Sequence, residues 1–110
     1  MAIDSATIAN GCLRIIRGSH REKRLFQHQT NPRKDLTLNQ ELLPTEYDEL
    51  AVVNLELKAG QISLHDVFLV HGSEANTTEH SRRGMTLRYM PTTSVSVSYT
   101  HLTLPTILLV

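Results

Sequence analysis

The sequence predicts a mainly β fold with a long loop region, and three observations support this. The apolar stretches are short and suited to strands: Cys12 to Ile16, the alternating Val53, Leu55 and Leu57, and the run Phe68-Leu69-Val70. Turn-forming residues divide them, most clearly Asn10-Gly11, both tolerant of positive φ, and Lys58-Ala59-Gly60-Gln61. The stretch 21–50 is polar, carries Pro32 and Pro44, and lacks sustained periodicity.

Residues 1–20 read as strand, Asn-Gly turn, strand. His20 lies in a polar run with Arg21, Lys23 and Arg24 and reads as part of a solvated loop. Residues 21–50 are expected to be loop with a helical turn. A connection of that length usually means a lid, a binding loop or missing support. Glu46, Asp48 and Glu49 read as a solvated acidic face. Residues 51–57 form a strand, and Ile62 to His65 begins a return strand that delivers Val67 to His71. His65 and Asp66 are adjacent, so on a strand they face opposite ways and are poorly placed to share a metal ion.

Phe68-Leu69-Val70 suits a strand buried on both faces, and His71-Gly72-Ser73 breaks it. The imidazole is thereby expected where a strand meets a loop. Asn76, Thr77 and Thr78 read as turn, with Asn76 capping the loop. A second strand runs from Arg82 to Tyr89. Alternation puts Arg82 on a face with Gly84 and Thr86, which leave room for a ligand. Arg83 falls with Met85, Leu87 and Tyr89, a packing face. A histidine and an arginine on adjacent strand ends suit a metal ion plus a carboxylate-bearing ligand, since guanidinium grips carboxylate through two parallel hydrogen bonds.

With 110 residues the chain is at most one small domain. A formal charge of zero makes no case for nucleic acid or an anionic membrane as partner. The single cysteine, Cys12, excludes an internal disulfide and fits a reducing compartment. No stretch has the length and apolarity of a membrane span, so a cytoplasmic protein is the default expectation.

Two motifs carry a family resemblance. The first is His71-Gly72-Ser73 followed by Asn76, then Arg82-Arg83 and Leu87-Arg88-Tyr89. The second runs Asn10-Gly11-Cys12-Leu13-Arg14 through Gly18-Ser19-His20. In this order and at this separation, residues 1–93 resemble the phytanoyl-CoA dioxygenase family, with Arg17 standing where the family usually has proline. The resemblance implies a double-stranded β-helix (a jelly-roll, cupin-like fold), only partly represented here. It also implies Fe(II), 2-oxoglutarate as cosubstrate, and oxidation of a small organic molecule. His71 then takes the position of the distal iron ligand. Arg82 takes that of the arginine gripping the far carboxylate of 2-oxoglutarate, and Ser73 beside them is placed to orient either that cosubstrate or the loop.

The family's His-x-Asp iron pair has no counterpart, because no histidine here has an acid two positions later. The chain is therefore expected to be the C-terminal portion of such a dioxygenase, beginning after its own iron ligands and inactive alone. The alternative is a non-catalytic small β-domain that binds a small anion or a protein partner. Oligomeric state is left open. Residues 94–110 depart from the family pattern. Their SYTHLTLPT stretch resembles translated sequencing-adapter read-through, an apolar tail with no evolved role and an aggregation hazard.

Overall fold

The computed structural model describes residues 1–36 and 38–93, so the expectations for residues 94–110 lie outside the described residues. Among the described residues five strands are present: β1 (Leu13–Ile16), β2 (His28–Thr30), β3 (Gln40–Leu42), β4 (Val52–Leu55) and β5 (His71–Ser73). Three single turns of 3-10 helix, Ser19–Glu22, Pro44–Glu46 and Glu49–Ala51, complete the regular structure among the described residues. The fold is mainly β, and its sheets stay open.

β1 is the centre of the main sheet, antiparallel to β4 on one side and to β5 on the other. Its register places Ile15 between Val53 and His71, and Leu13 between Leu55 and Ser73. Directly opposed residues share a face, so these apolar side chains lie on the same face as His71 and Ser73. Arg14, opposite Asn54 and Gly72, lies on the other.

The N-terminal segment does not pair with β1 as the hairpin expectation required. It lies between two other stretches. On one side Ala2 N–H donates to the Gln61 carbonyl, and Ala6 pairs with Leu57. On the other, Ala2 pairs with Gly84, and Ile3 N–H donates to the Arg83 carbonyl. The reason is the width of the Asn10-Gly11 turn. Cys12 N–H reaches back to the Thr7 carbonyl (2.8 Å), and Gly11 N–H donates to that of Ile8 (3.2 Å). Only Gly11 has positive φ (79°). Asn10 is buried and works through its side chain, accepting from Thr7 N–H (2.7 Å) and donating to the Ser5 carbonyl (2.8 Å). The result is a corner that moves the chain from one set of partners to another.

Four further expectations are corrected. Phe68-Leu69-Val70 is not a buried strand: residues 67–69 form a turn and only Leu69 is buried. Asp66 is the cause, its carboxylate accepting from Phe68 N–H (2.8 Å) and its carbonyl from Leu69 N–H (3.1 Å). Residues 62–66 accordingly form no return strand, and β4 pairs with β1 instead. Arg82 to Tyr89 is not a strand either. Its ladder is one bridge at Gly84, closed by Met85 N–H donating to the Met1 carbonyl. Met85, Leu87 and Tyr89, the expected packing face, are exposed. Finally, 21–50 contains the β2–β3 hairpin, joined by its backbone and by Gln29 and Asn31 side chains donating to Glu41.

Among the described residues the buried hydrophobic side chains are small or single: Ala2, Ala6, Cys12 and Leu69. Backbone pairing and turns, more than side-chain volume, hold these segments together. Gly11 is the most constrained point, since an added Cβ would lie 2.4 Å from the Glu74 carbonyl oxygen as well as requiring a left-handed backbone. Gly60 has φ of 86° but open space around it. Gly60→Ala should therefore cost about 1–3 kcal/mol, the strain of a left-handed non-glycine residue alone. Gly11→Ala should cost clearly more. Urea denaturation of both variants is the check, and equal losses would show that the contact with Glu74 does not constrain the corner.

Candidate functional site

His71 opens β5 rather than closing a strand, and the residues before it fix its place. After the Asp66 turn, the buried Leu69 anchors the chain. Val70 is then held at both backbone groups: its N–H donates to the Ser19 hydroxyl (2.8 Å) and its carbonyl accepts from Ile16 N–H (3.0 Å). Ser19 can reach because Gly18, at φ 82°, turns the chain sharply after β1. Sequence reasoning gave Ser19 no role. The signal was a short hydroxyl residue directly after a glycine at a strand end.

The His71 ring is half-buried, with Nδ1 2.6 Å from the Leu69 carbonyl oxygen. A carbonyl can only accept, so Nδ1 carries the proton and Nε2 keeps its lone pair. That is the arrangement a metal-binding imidazole needs, the bound carbonyl fixing tautomer and ring direction. The His65 ring lies beside it, centroids 5.3 Å apart and planes tilted by 52°. Burial, then the neighbouring His71, then the N-terminal ammonium hold His65 below its ordinary pKa.

Beyond Ser73, which is exposed, the chain is tied back to the sheet. Arg14 on β1 forms ion pairs with both Glu74 and Glu49. Glu49, more than any other group, raises the Arg14 pKa. The acidic stretch read as a solvated face thus has specific work: Glu49 pairs with Arg14, Glu46 with Arg24, and Asp48 accepts from Leu50 N–H. Asn76 caps the loop as expected, its Oδ1 accepting from Thr78 N–H and its Nδ2 donating to the His80 carbonyl.

The two adjacent arginines have different surroundings. Arg83 is 70% exposed and grips Asp4 with two parallel hydrogen bonds, Nε to Oδ2 at 2.8 Å and Nη2 to Oδ1 at 2.9 Å. Arg82 is half-buried and has no ion pair among the described residues. Its charge is felt at Cys12, where with Arg14 it opposes burial and Glu56, which raise the thiol pKa.

A cleft of about 310 Å³ opens beside Cys12, Arg14, Glu49 and Glu74. A second, of about 580 Å³, is lined by Asp4, Arg83, Glu79 and His80 among others. Neither is lined by His71, Ser73 or Arg82. His71 and Ser73 share a face of β5. Among the described residues no group of three His, Cys, Asp or Glu side chains could hold a metal ion. No helix among them is long and apolar enough to cross a membrane.

The Asp4–Arg83 pair makes a pH prediction. Arg83 holds the Asp4 carboxyl at about 2, below its ordinary 3.8. The pair therefore stabilises the fold fully above the unfolded value, and this contribution is lost as pH falls from 3.8 through 2. Wild type and Asp4→Asn should differ in melting temperature near neutral pH and converge toward pH 2. A difference that persists there would show that the charge pair is not its source.

Comparison with known proteins places the chain. It matches the model of the phytanoyl-CoA dioxygenase family over residues 1–84. It is 37% identical over 91 residues to a phytanoyl-CoA dioxygenase domain-containing protein 1 homolog of Dictyostelium discoideum, covering 81% of this chain and 32% of that protein. The homolog from Caenorhabditis elegans is 35% identical over 96 residues, 82% of this chain and 33% of its own length. A 2-aminoethylphosphonate dioxygenase from the uncultured bacterium HF130_AEPn_1 is 34% identical over 89 residues, 81% of this chain and 30% of its own. No solved structure matches. The chain spans about a third of the length of the curated relatives it matches. The family model covers most of the sequence, including both motifs as far as Gly84, and the chain belongs to the phytanoyl-CoA dioxygenase family.

Proposed function

We propose that this chain is part of a cytoplasmic Fe(II)/2-oxoglutarate-dependent dioxygenase that oxidises a small organic molecule. His71 would be one iron ligand, Arg82 the grip on the far carboxylate of 2-oxoglutarate, and Ser73 an orienting hydroxyl beside it. Family membership supports the reaction class. The observation that carries the residue assignment is the unequal state of the two arginines: Arg83 is committed to Asp4, whereas half-buried Arg82 has no carboxylate paired with it among the described residues.

On this reading the chain supplies one ligand of the family's three, and no group of three metal-ligating side chains lies among the described residues. The reading assigns the other two to parts of the whole protein that this sequence does not contain. Iron with 2-oxoglutarate, when bound, supplies oxidising power that protein side chains lack. What this chain contributes is positional. The Leu69 carbonyl fixes the His71 tautomer, and the Val70 contacts with Ser19 and Ile16 fix the strand on which the ring stands. Arg82 supplies a charge whose partial burial strengthens its hold on a carboxylate.

In the whole protein, Arg82→Ala should weaken 2-oxoglutarate binding on the order of 2–5 kcal/mol, the usual effect of removing one partner of a partly buried charge pair. Arg83→Ala should leave affinity nearly unchanged and lower stability instead. Calorimetric titration with 2-oxoglutarate separates the two, and equal affinity losses would overturn the assignment. The chain of 110 residues alone should convert no 2-oxoglutarate to succinate above a His71→Ala control. His71, even with the His65 ring beside it, does not complete a three-ligand face for Fe(II). Succinate above that control would disprove the division of ligands.

A further inference from the structure

We propose that His65 and His71 together form a two-imidazole site for a borderline divalent metal ion such as zinc, nickel or copper(II). The rings are neighbours in space, with centroids 5.3 Å apart and planes inclined by 52°. Two imidazoles bound to one tetrahedral ion through nitrogens at ~2.0–2.1 Å have centroids about 5 Å apart. The pair therefore stands at the separation one shared ion requires.

The nitrogens are available. His71 Nδ1 donates to the Leu69 carbonyl, leaving the Nε2 lone pair for a metal. Neither ring nitrogen of His65 has a hydrogen-bond partner among the described residues. His65 is exposed and His71 half-buried, so an ion can enter from solvent.

The spacing is built in by the chain between them. Asp66 follows His65 and closes the turn through Phe68 N–H and Leu69 N–H, and Leu69 then both anchors the turn and accepts from His71. The two rings are thus held apart by one hydrogen-bonded turn, which reduces the ordering a metal must impose. Asp66 itself is turned to Phe68 N–H. The described residues offer no group of three ligands, so water completes the coordination. Two imidazoles favour copper, nickel and zinc over magnesium or calcium, which prefer oxygen donors. The inference does not rest on the dioxygenase reading, but it shares His71 with it, so an ion held by this pair would compete with iron for that ligand.

The test uses the full chain and Zn(II) alone, without 2-oxoglutarate. Isothermal titration should give one zinc per chain. His65→Ala and His71→Ala should each weaken binding about tenfold or more, because the second imidazole binds intramolecularly once the first is engaged. His80→Ala, in a separate loop, should leave it unchanged. Copper(II) paramagnetic resonance should report two nitrogen ligands in wild type and one in His65→Gln, a readout that misfolding of the alanine variants does not imitate. Zinc affinity unchanged in His65→Ala, loss that follows His80, or an unaltered nitrogen count in His65→Gln would overturn the site. Those results would leave the dioxygenase reading intact, whereas failure of Arg82→Ala to affect 2-oxoglutarate binding would leave this site intact.

Discussion

The corner from Thr7 to Cys12 is the constraint on which both halves of the structure depend. Before it, the chain pairs with Leu57, Gln61 and Arg83–Gly84; after it, with β4 and β5. A tighter two-residue turn would have folded residues 1–9 back along β1 and left those partners unpaired. The wider corner frees both edges of β1, and only then can His71 stand opposite Ile15. Gly11 makes the corner possible twice over, by its left-handed backbone and by lacking the Cβ that would strike Glu74. The loop leaving β5 therefore rests on the corner that leads into β1. Thr77 strengthens this, its N–H and hydroxyl both donating to the Ala9 carbonyl.

Much of this was legible in the sequence, and what was missed has a common physical cause. The turns at Asn10-Gly11 and Gly60 were readable, because positive φ is a local demand that few residues meet. β1 and β4 were readable from β-branched and alternating residues. Phe68-Leu69-Val70 was misread because an apolar run says nothing of the carboxylate just before it, and Asp66 offers those N–H groups a nearer partner than a neighbouring strand. The β2–β3 hairpin was missed for the opposite reason. Its residues are nearly all exposed, so there was no apolar period to read, only backbone pairing that sequence does not display.

The candidate site divides along the same line. His71 and Arg82 were identified by motif, and strand alternation was the argument that separated Arg82 from Arg83. The structure gives the two arginines different surroundings, and not through alternation. No strand runs through them; Asp4 draws Arg83 outward into a paired, solvent-facing position. Asp4 was invisible as a determinant because it lies 79 positions away in sequence. Ser19 was likewise invisible, 51 positions from the N–H it accepts from. Short-range turn chemistry can be read along a chain, whereas a single polar contact across the fold cannot.

The way the chain is held together bears on how firmly it holds its site. Two of the four buried hydrophobic residues among the described residues are alanines, and Leu64, Leu87 and Tyr89 stay exposed at 93%, 65% and 90%. Burial of apolar area, normally the largest favourable contribution to folding, is modest among the described residues. Hydrogen bonds to fixed backbone positions therefore do most of the positioning, and each is short in reach and strict in angle. Such contacts hold the direction of a side chain more exactly than apolar packing alone would hold it. The His71 ring is set by the Leu69 carbonyl, Leu69 by Asp66, and Val70 by Ser19 and Ile16. Each contact constrains the next, so the direction of the imidazole is set by the chain's own backbone.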